Sequence, residues 1–330
     1  MAPDRTMVVT ADPAPPEWAA FLAASPNATL FHELPFLAYH AADRFRFHHL
    51  VVRDGAAPAA VVPGGLVGGE RPVFTSPVGA SVGGPALAAG ARASDVEAIV
   101  AALQEHATTH GWGGLEFTLP PAVYAPEVGD MLSFALFRRG FSLTERWLCP
   151  MLPIARAGDE RHAQLFRARF PKFVRAARRS GVRVEEHGVE GLSAFLNVFD
   201  QTYQRHGVAP THSAAEIEDL LGRFPERIRI FLAMLDRTPA AGLLVFLLNP
   251  RVAYTFYICA NSDLPKAQGN LVAIAGLLDW LGERGYSWLD LGPGASLAKF
   301  NDGVMFFKEN LGAIGHTRDR WRWSIDATHH

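Results

Sequence analysis

Three β-rich runs follow one another with almost nothing between them: RIRIFLAMLD (227–236), AAGLLVFLLN (240–249) and RVAYTFYICA (251–260). Each is dense in branched and aromatic residues, and the Asn249-Pro250 dipeptide marks the second turn. Strands joined by links this short pair antiparallel, so the segment reads as a meander. After the loop NSDLPKAQGN, the run LVAIAGLLDWLGERG (271–285) is a helix with Gly285 placed to cap its C-terminus, and it feeds the strand YSWLDLG (286–292). Three antiparallel strands, a helix and a further strand are the frame that any fold for this chain must accommodate.

The first half obeys a similar grammar. Short helices are expected at 17–24 and 31–41, then strands at 48–55, 58–69 and 71–76, the first two joined at the Asp54-Gly55 turn. The glycine-rich stretch 76–87 is loop chemistry. A helix over 93–110 follows, with Val96, Ile99, Val100, Leu103 and His106 on one face, and then the strand GGLEFTL (113–119). After a Pro/Gly break at 153–158 come a basic helix (160–180), the strand VRVEEHG, and helices at 191–206 and 214–221. The repetition suggests duplication: two tandem α/β (α+β) domains, 1–153 and 154–330, each a mixed, largely antiparallel twisted sheet flanked by helices, with the site expected in the second.

Composition narrows the function classes. Hydrophobic residues at 49% and charged residues at 19% describe a chain that packs, and a formal charge of −2 gives no whole-protein attraction to nucleic acid or anionic lipid. Any cationic function must therefore be local. Cys149 and Cys259 stand far apart in apolar runs without a CxxC pair and are read as reduced core residues. The N-terminus lacks the order of a signal peptide and no stretch has the roughly 18–20 apolar residues of a membrane span, so a cytoplasmic enzyme is expected. The histidines are read as forming no zinc set of H-x-x-x-H or HExxH type, and there is no G-x-S-x-G elbow, Walker loop or G-x-G-x-x-G after a strand. Metal, hydrolase, NTPase and dinucleotide chemistries fall away.

Four segments carry a family resemblance: KFVRAARRSGVRVEE (172–186), FLNVFDQTYQRHGVAP (195–210), GYSWLDLGPG (285–294) and MFFKENLGA (305–313). They resemble, in the same order, the R-x-A-x-x-x-G-V, Y-x-x-x-G, G-x-x-x-x-D-L-G and F-K-x-x-L-G segments of the FemABX-like, double-GNAT N-acyltransferases. The N-terminal half, with SPVGASVGGP and its neighbours, is similar to the same superfamily, so the resemblance spans about residues 18–319. It implies two GNAT lobes and transfer of an activated acyl group to an amine, with no metal or redox cofactor. Peptidyltransferases of this kind use aminoacyl-tRNA as co-substrate, whereas other members use acetyl- or acyl-CoA.

The resemblance also assigns roles. The Phe307-Lys308 pair falls where the family has its acceptor and donor channel, and Lys308 there would stabilise the oxyanion formed when an amine attacks the carbonyl; the plain alternative is a surface lysine. Asp290 would act as general base or orient Lys308, unless it only closes a turn. Tyr254 and Tyr257, three apart on one strand, are expected on opposite faces, with Tyr257 the better match for a catalytic hydrogen-bond donor. Tyr203 and Arg205 are weaker acceptor-site candidates. The GNAT pyrophosphate loop is degenerate here, as Lys266-Ala-Gln-Gly269-Asn-Leu271: Leu271 is expected to hinder backbone approach, and Asn270 to cap the helix. The run Arg161, Arg167, Arg169, Lys172, Arg175, Arg178, Arg179 and Arg183, with no acid after Arg161, offers phosphate contacts for tRNA. The poor CoA loop and this basic run together favour aminoacyl-tRNA as donor and tRNA as partner; acyl-CoA as donor, and a catalytically inactive GNAT-fold binding module, are the alternatives.

Overall fold

The computed structural model describes residues 7–11, 14–154, 170–207 and 209–326. Arg161, Arg167 and Arg169 of the basic run lie outside the described residues. The chain forms two compact units. One comprises Met1–Trp147 and Thr317–His330, the other Leu148–His316.

In the first unit, β1 (Met7–Ala11), β2 (Leu50–Asp54), β3 (Ala57–Val62) and β6 (Ala86–Leu87) make one antiparallel sheet. Gly55, at φ +59°, closes the β2–β3 hairpin where the sequence places it. The strand expected over 58–69 is in fact two, β3 and β4 (Gly65–Val67), because Pro63 between them has no N–H to carry a ladder onward. β4 pairs with β5 (Val73–Ser76), which runs parallel to β7 (Gly114–Leu119). The last strand, β15 (Ile314–Ser324), lies antiparallel to β7 with Asp319 opposite Leu119. The helix expected over 31–41 is only a 3-10 turn (Leu30–His32) and a single α-turn, α2 (Leu34–Leu37), which has Pro35 in its first turn. α3 (Ala93–Thr109) presents its foreseen stripe, and Val96, Ile99, Val100 and Leu103 are fully buried in the core of this unit.

Burial depresses the pKa of two histidines of this unit, the enclosed His32 and the half-buried His106. His32 is fully enclosed, its Nδ1 accepting from Thr29 N–H at 3.2 Å, and burial pushes its pKa down to about 4. A histidine kept neutral in the fold but titrating near 6.5 when unfolded contributes stability that is whole above about pH 6.5 and is lost as pH falls toward 4. That amounts to roughly 3 kcal/mol for His32. Unfolding free energies from urea titrations at pH 7 and pH 4.5 should differ by roughly 2 kcal/mol less in His32→Gln than in the wild type; equal losses in both would remove His32 as the cause. His106 and His110 do have H-x-x-x-H spacing, contrary to the sequence reading, and their rings lie tilted with centroids 3.9 Å apart beside Trp112. Burial pushes His106 to about 4, but no third ligating group joins them among the described residues.

The second unit holds the meander: β10 (Ile228–Leu235), β11 (Thr238–Leu247) and β12 (Val252–Ala260), flanked by β9 (Arg183–His187) on one side and by β13 (Trp288–Asp290) and β8 (Ser142–Pro153) on the other. β12 and β13 are parallel and the other pairs antiparallel. Alternate residues of β11 serve opposite faces. Ala241, Leu243, Val245 and Leu247 join the core beneath helix α8 (Gly269–Glu283), while Gly242 faces Phe195 and Val198 of α6 (Leu192–His206). A Cβ at Gly242 would sit 2.8 Å from the Phe195 ring, so only glycine lets α6 lie this close. α8 ends as foreseen, with Gly285 at φ +79°. The amphipathic helix α5 (Phe170–Arg179) tucks Val174 and Ala177 into the same core.

Candidate active site

β12 outruns its neighbour. β13 pairs with it at Val252, Ala253 and Tyr254 and then stops at Asp290, so from Thr255 to Ala260 no described strand lies along that edge. The divergence opens a cavity of about 680 Å³. Its walls are Tyr254, Thr255, Phe256, Ile258 and Ala260 of β12, Thr202, Tyr203 and Arg205 of α6, and Asn270 at the start of α8. Leu291, Gly292 and Pro293 after β13, and Gly303, Val304, Phe307 and Lys308 of α9 (Asp302–Asn310), complete them. All of these belong to the second unit. Asn301 starts α9 by accepting from Val304 N–H through its side chain, which sets the direction in which Phe307 and Lys308 project.

Lys308 is only 5% exposed, and Nζ donates to the carbonyls of Gly292 at 2.8 Å and Pro293 at 3.2 Å. It is thus a fixed charge in the wall rather than a surface lysine. Phe307 lines the same cavity and packs against Phe170. Arg205 is exposed and forms no hydrogen bond or ion pair among the described residues. No carboxylate and no imidazole lines the cavity among the described residues. Asp290 is 3% exposed and is not in the wall; its Oδ1 accepts from Gly292 N–H at 2.6 Å.

The two tyrosines are not on opposite faces. Leu244 pairs with Tyr257 and Val245 with Thr255, so Phe256 is an extra, bulged residue. The bulge shifts the alternation by one, which brings Tyr254 and Tyr257 to the same face as Phe246 and Leu244. Only Tyr254 lines the cavity. The Tyr257 hydroxyl accepts from His212 N–H at 3.1 Å and lies 2.9 Å from His212 Nδ1, with burial pushing its pKa up. Tyr203 reaches the cavity as a phenol, pushed up to about 12 by burial. The Cys259 thiol is likewise raised to about 12, so it stays protonated and is no nucleophile at neutral pH.

The helix start differs from expectation in two ways. α8 begins at Gly269 with Gln268 as N-cap at φ +50°, so Asn270 lies inside the helix and lines the cavity, its buried Oδ1 accepting no hydrogen bond among the described residues. Leu271 points into the core at 5% exposure and does not line the cavity. Lys266 is exposed on a 3-10 turn and does not line the cavity. On α5, Lys172, Arg175 and Arg179 are exposed on one stripe without an acidic partner among the described residues, whereas Arg178 pairs with Asp279 at 3.0 Å. Sequence reasoning missed Phe256, the Gly292 and Pro293 carbonyls and His212. The Asp-x-Gly-Pro string could have flagged the carbonyls as a turn, but nothing local marks the bulge.

Comparison with known proteins follows this geometry. Residues 164–301 match the acetyltransferase (GNAT) domain family. No curated protein matches the chain in sequence. Among solved structures, FemX is similar at a TM-score of 0.76 and 13% identity, over 96% of this chain and 97% of that one. The L-PGS of Bacillus licheniformis is similar at 0.60 and 15%, over 96% and 94%, and a tandem GNAT protein of the clavulanic acid biosynthesis pathway at 0.54 and 13%, over 98% and 99%. The fold expectation of tandem GNAT-like α/β architecture holds: residues 164–301 are similar to the GNAT acetyltransferase domain family, and the whole chain has a fold similar to that of FemX.

Proposed function

We propose that this enzyme transfers an aminoacyl group from tRNA to an amine of a small-molecule or nucleotide-linked acceptor, as a cytoplasmic peptidyltransferase-type reaction. The acceptor nitrogen attacks the ester carbonyl, a C–N bond forms, the C–O bond to the ribose breaks, and the amine proton passes through water to the departing oxygen. In this reading Lys308 stabilises the tetrahedral oxyanion, since a preorganised charge in a partly enclosed site acts most strongly where negative charge develops. Tyr203, Tyr254 and Phe307 shape the acceptor space, and Arg205 offers a cation at its edge. The single observation that carries the proposal is the Lys308 ammonium, held by two carbonyls in the wall of a cavity along the open β12 edge. No bound cofactor is needed for this step.

The donor is inferred from the exposed Lys172, Arg175 and Arg179 stripe, from the rest of the basic run, Arg167 and Arg169 included, and from the likeness to FemX. Acyl-CoA is the second reading. It is favoured by Asn270, which brings the start of α8 to the cavity wall where helix N–H groups attract anions, and by the likeness to a tandem GNAT protein. No described helix is long and apolar enough to cross a membrane.

Parallel titrations with acetyl-CoA and with charged tRNA, each across salt concentration, separate the donors. Affinity for tRNA should fall steeply with salt, and the triple Lys172→Ala, Arg175→Ala, Arg179→Ala variant should flatten the log–log slope by about 2 while leaving acetyl-CoA unaffected. Saturable acetyl-CoA binding without any for tRNA would reverse the choice. Binding of tRNA with an unchanged slope in the variant would move the contact elsewhere.

A further inference from the structure

In the turn that follows β13, residues 291–294, each backbone N–H has a partner. Leu291 N–H goes to Pro150 carbonyl at 3.2 Å, Gly294 N–H to Leu148 carbonyl at 2.9 Å, and Pro293 has no N–H to place. The remaining donor, Gly292 N–H, is taken by the Asp290 carboxylate two residues back, an Asx turn. Asp290 itself is anchored in the sheet, opposite Tyr254 and with its own carbonyl accepting from the Thr255 hydroxyl at 3.2 Å. Gly292 takes φ +75°, and from there the Gly292 and Pro293 carbonyls both turn toward Lys308 Nζ. Among the described residues, the Asp290 side chain holds the Gly292 N–H, the turn donor that no backbone carbonyl takes, yet it is not in the cavity wall where a substrate amine would stand.

We infer that Asp290 is a positioning residue and not the proton acceptor: its carboxylate folds the 290–293 turn, and the carbonyls of that turn fix the Lys308 ammonium at the cavity wall. This rests on the acyl-transfer reading only for its effect on rate. The hydrogen bond that matters is acceptance by one oxygen, which an asparagine side chain also supplies. Loss of the turn lets Lys308 move, and displacement of a positioned group by about 1 Å can cost on the order of 10²-fold in rate.

Three variants test this. Asp290→Ala should lower kcat by about 10²-fold with KM within about threefold, whereas Asp290→Asn should stay within about fivefold of wild type and keep the acid limb of its pH–kcat profile. Gly292→Ala tests the turn without touching Asp290. The nearest atoms to a Cβ there belong to the Tyr254 side chain, at 3.5 Å and beyond, an ordinary contact, so the positive φ opposes the change, and kcat should fall about tenfold. A second readout needs no turnover: the rate at which Lys308 is acetylated by N-hydroxysuccinimide acetate, followed by peptide mass spectrometry. Asp290→Ala and Gly292→Ala should each react about tenfold faster than wild type, and Asp290→Asn at the wild-type rate. Lys308 protection unchanged in Asp290→Ala overturns the inference, as does an Asp290→Asn enzyme as inactive as Asp290→Ala with its acid limb lost. Should Asp290→Ala not fold, the other two variants still decide. A wild type that transfers from neither donor would defeat the functional reading alone, because the acetylation rates stand apart from it.

Discussion

Replacing Lys308 with methionine is expected to lower kcat by about 10²–10³-fold with KM changed only a few-fold, the loss typical of removing one oxyanion donor. The side chains are similar in length, so the change removes the ammonium while keeping most of the packing against the cavity wall. It also strips the Gly292 and Pro293 carbonyls of their donor, at a stability cost of roughly 1–3 kcal/mol. Thermal unfolding must therefore accompany the kinetics, and the rate loss is attributed to the charge only where the variant is folded at assay temperature. A folded Lys308→Met enzyme with wild-type kcat would remove Lys308 from the chemistry. A large rise in KM with kcat intact would make it a binding group instead.

The second large effect is on stability. Phe246 is fully buried near the end of β11, and its ring stacks on Phe256 with centroids 5.0 Å apart. Phe246→Ala is expected to cost about 3–5 kcal/mol, through lost transfer energy and the cavity left behind. For a unit of this size that corresponds to roughly 6–20 °C in Tm. Because Phe256 is the bulged residue that lines the cavity, slack beneath it should also raise KM at temperatures where the protein remains folded. A loss below 1 kcal/mol in urea unfolding would mean that the neighbouring side chains collapse into the space.

What the sequence disclosed follows the range of the interactions involved. The meander was legible because branched residues and short turns encode it locally, and the α8 terminus because Gly285 does so too. The split of 58–69 was legible in principle from Pro63. The pairing of Asp319 with Leu119 was not, since no residue near either strand names its partner across that distance. The site divides in the same way. Phe307 and Lys308 were found from a motif, and the structure brings them to one cavity with Tyr203, Arg205 and Tyr254. The bulge that realigns Tyr257 was hidden, because phenylalanine suits regular and bulged strand positions alike. Asp290 was noticed for its chemistry, but a carboxylate that closes a turn and one that takes a proton are the same letter until its 2.6 Å partner is known.

The return of the last strand to the first unit bears on how the protein is made. The ribosome must deliver all of Leu148–His316 before most of β15, the antiparallel partner of β7, exists. At about 5–20 residues per second, the 200 residues from Leu119 to Asp319 leave β7 without this neighbour for roughly 10–40 s, during which the whole second unit is synthesised. For this chain, the half that is synthesised first is the half whose last strand arrives last.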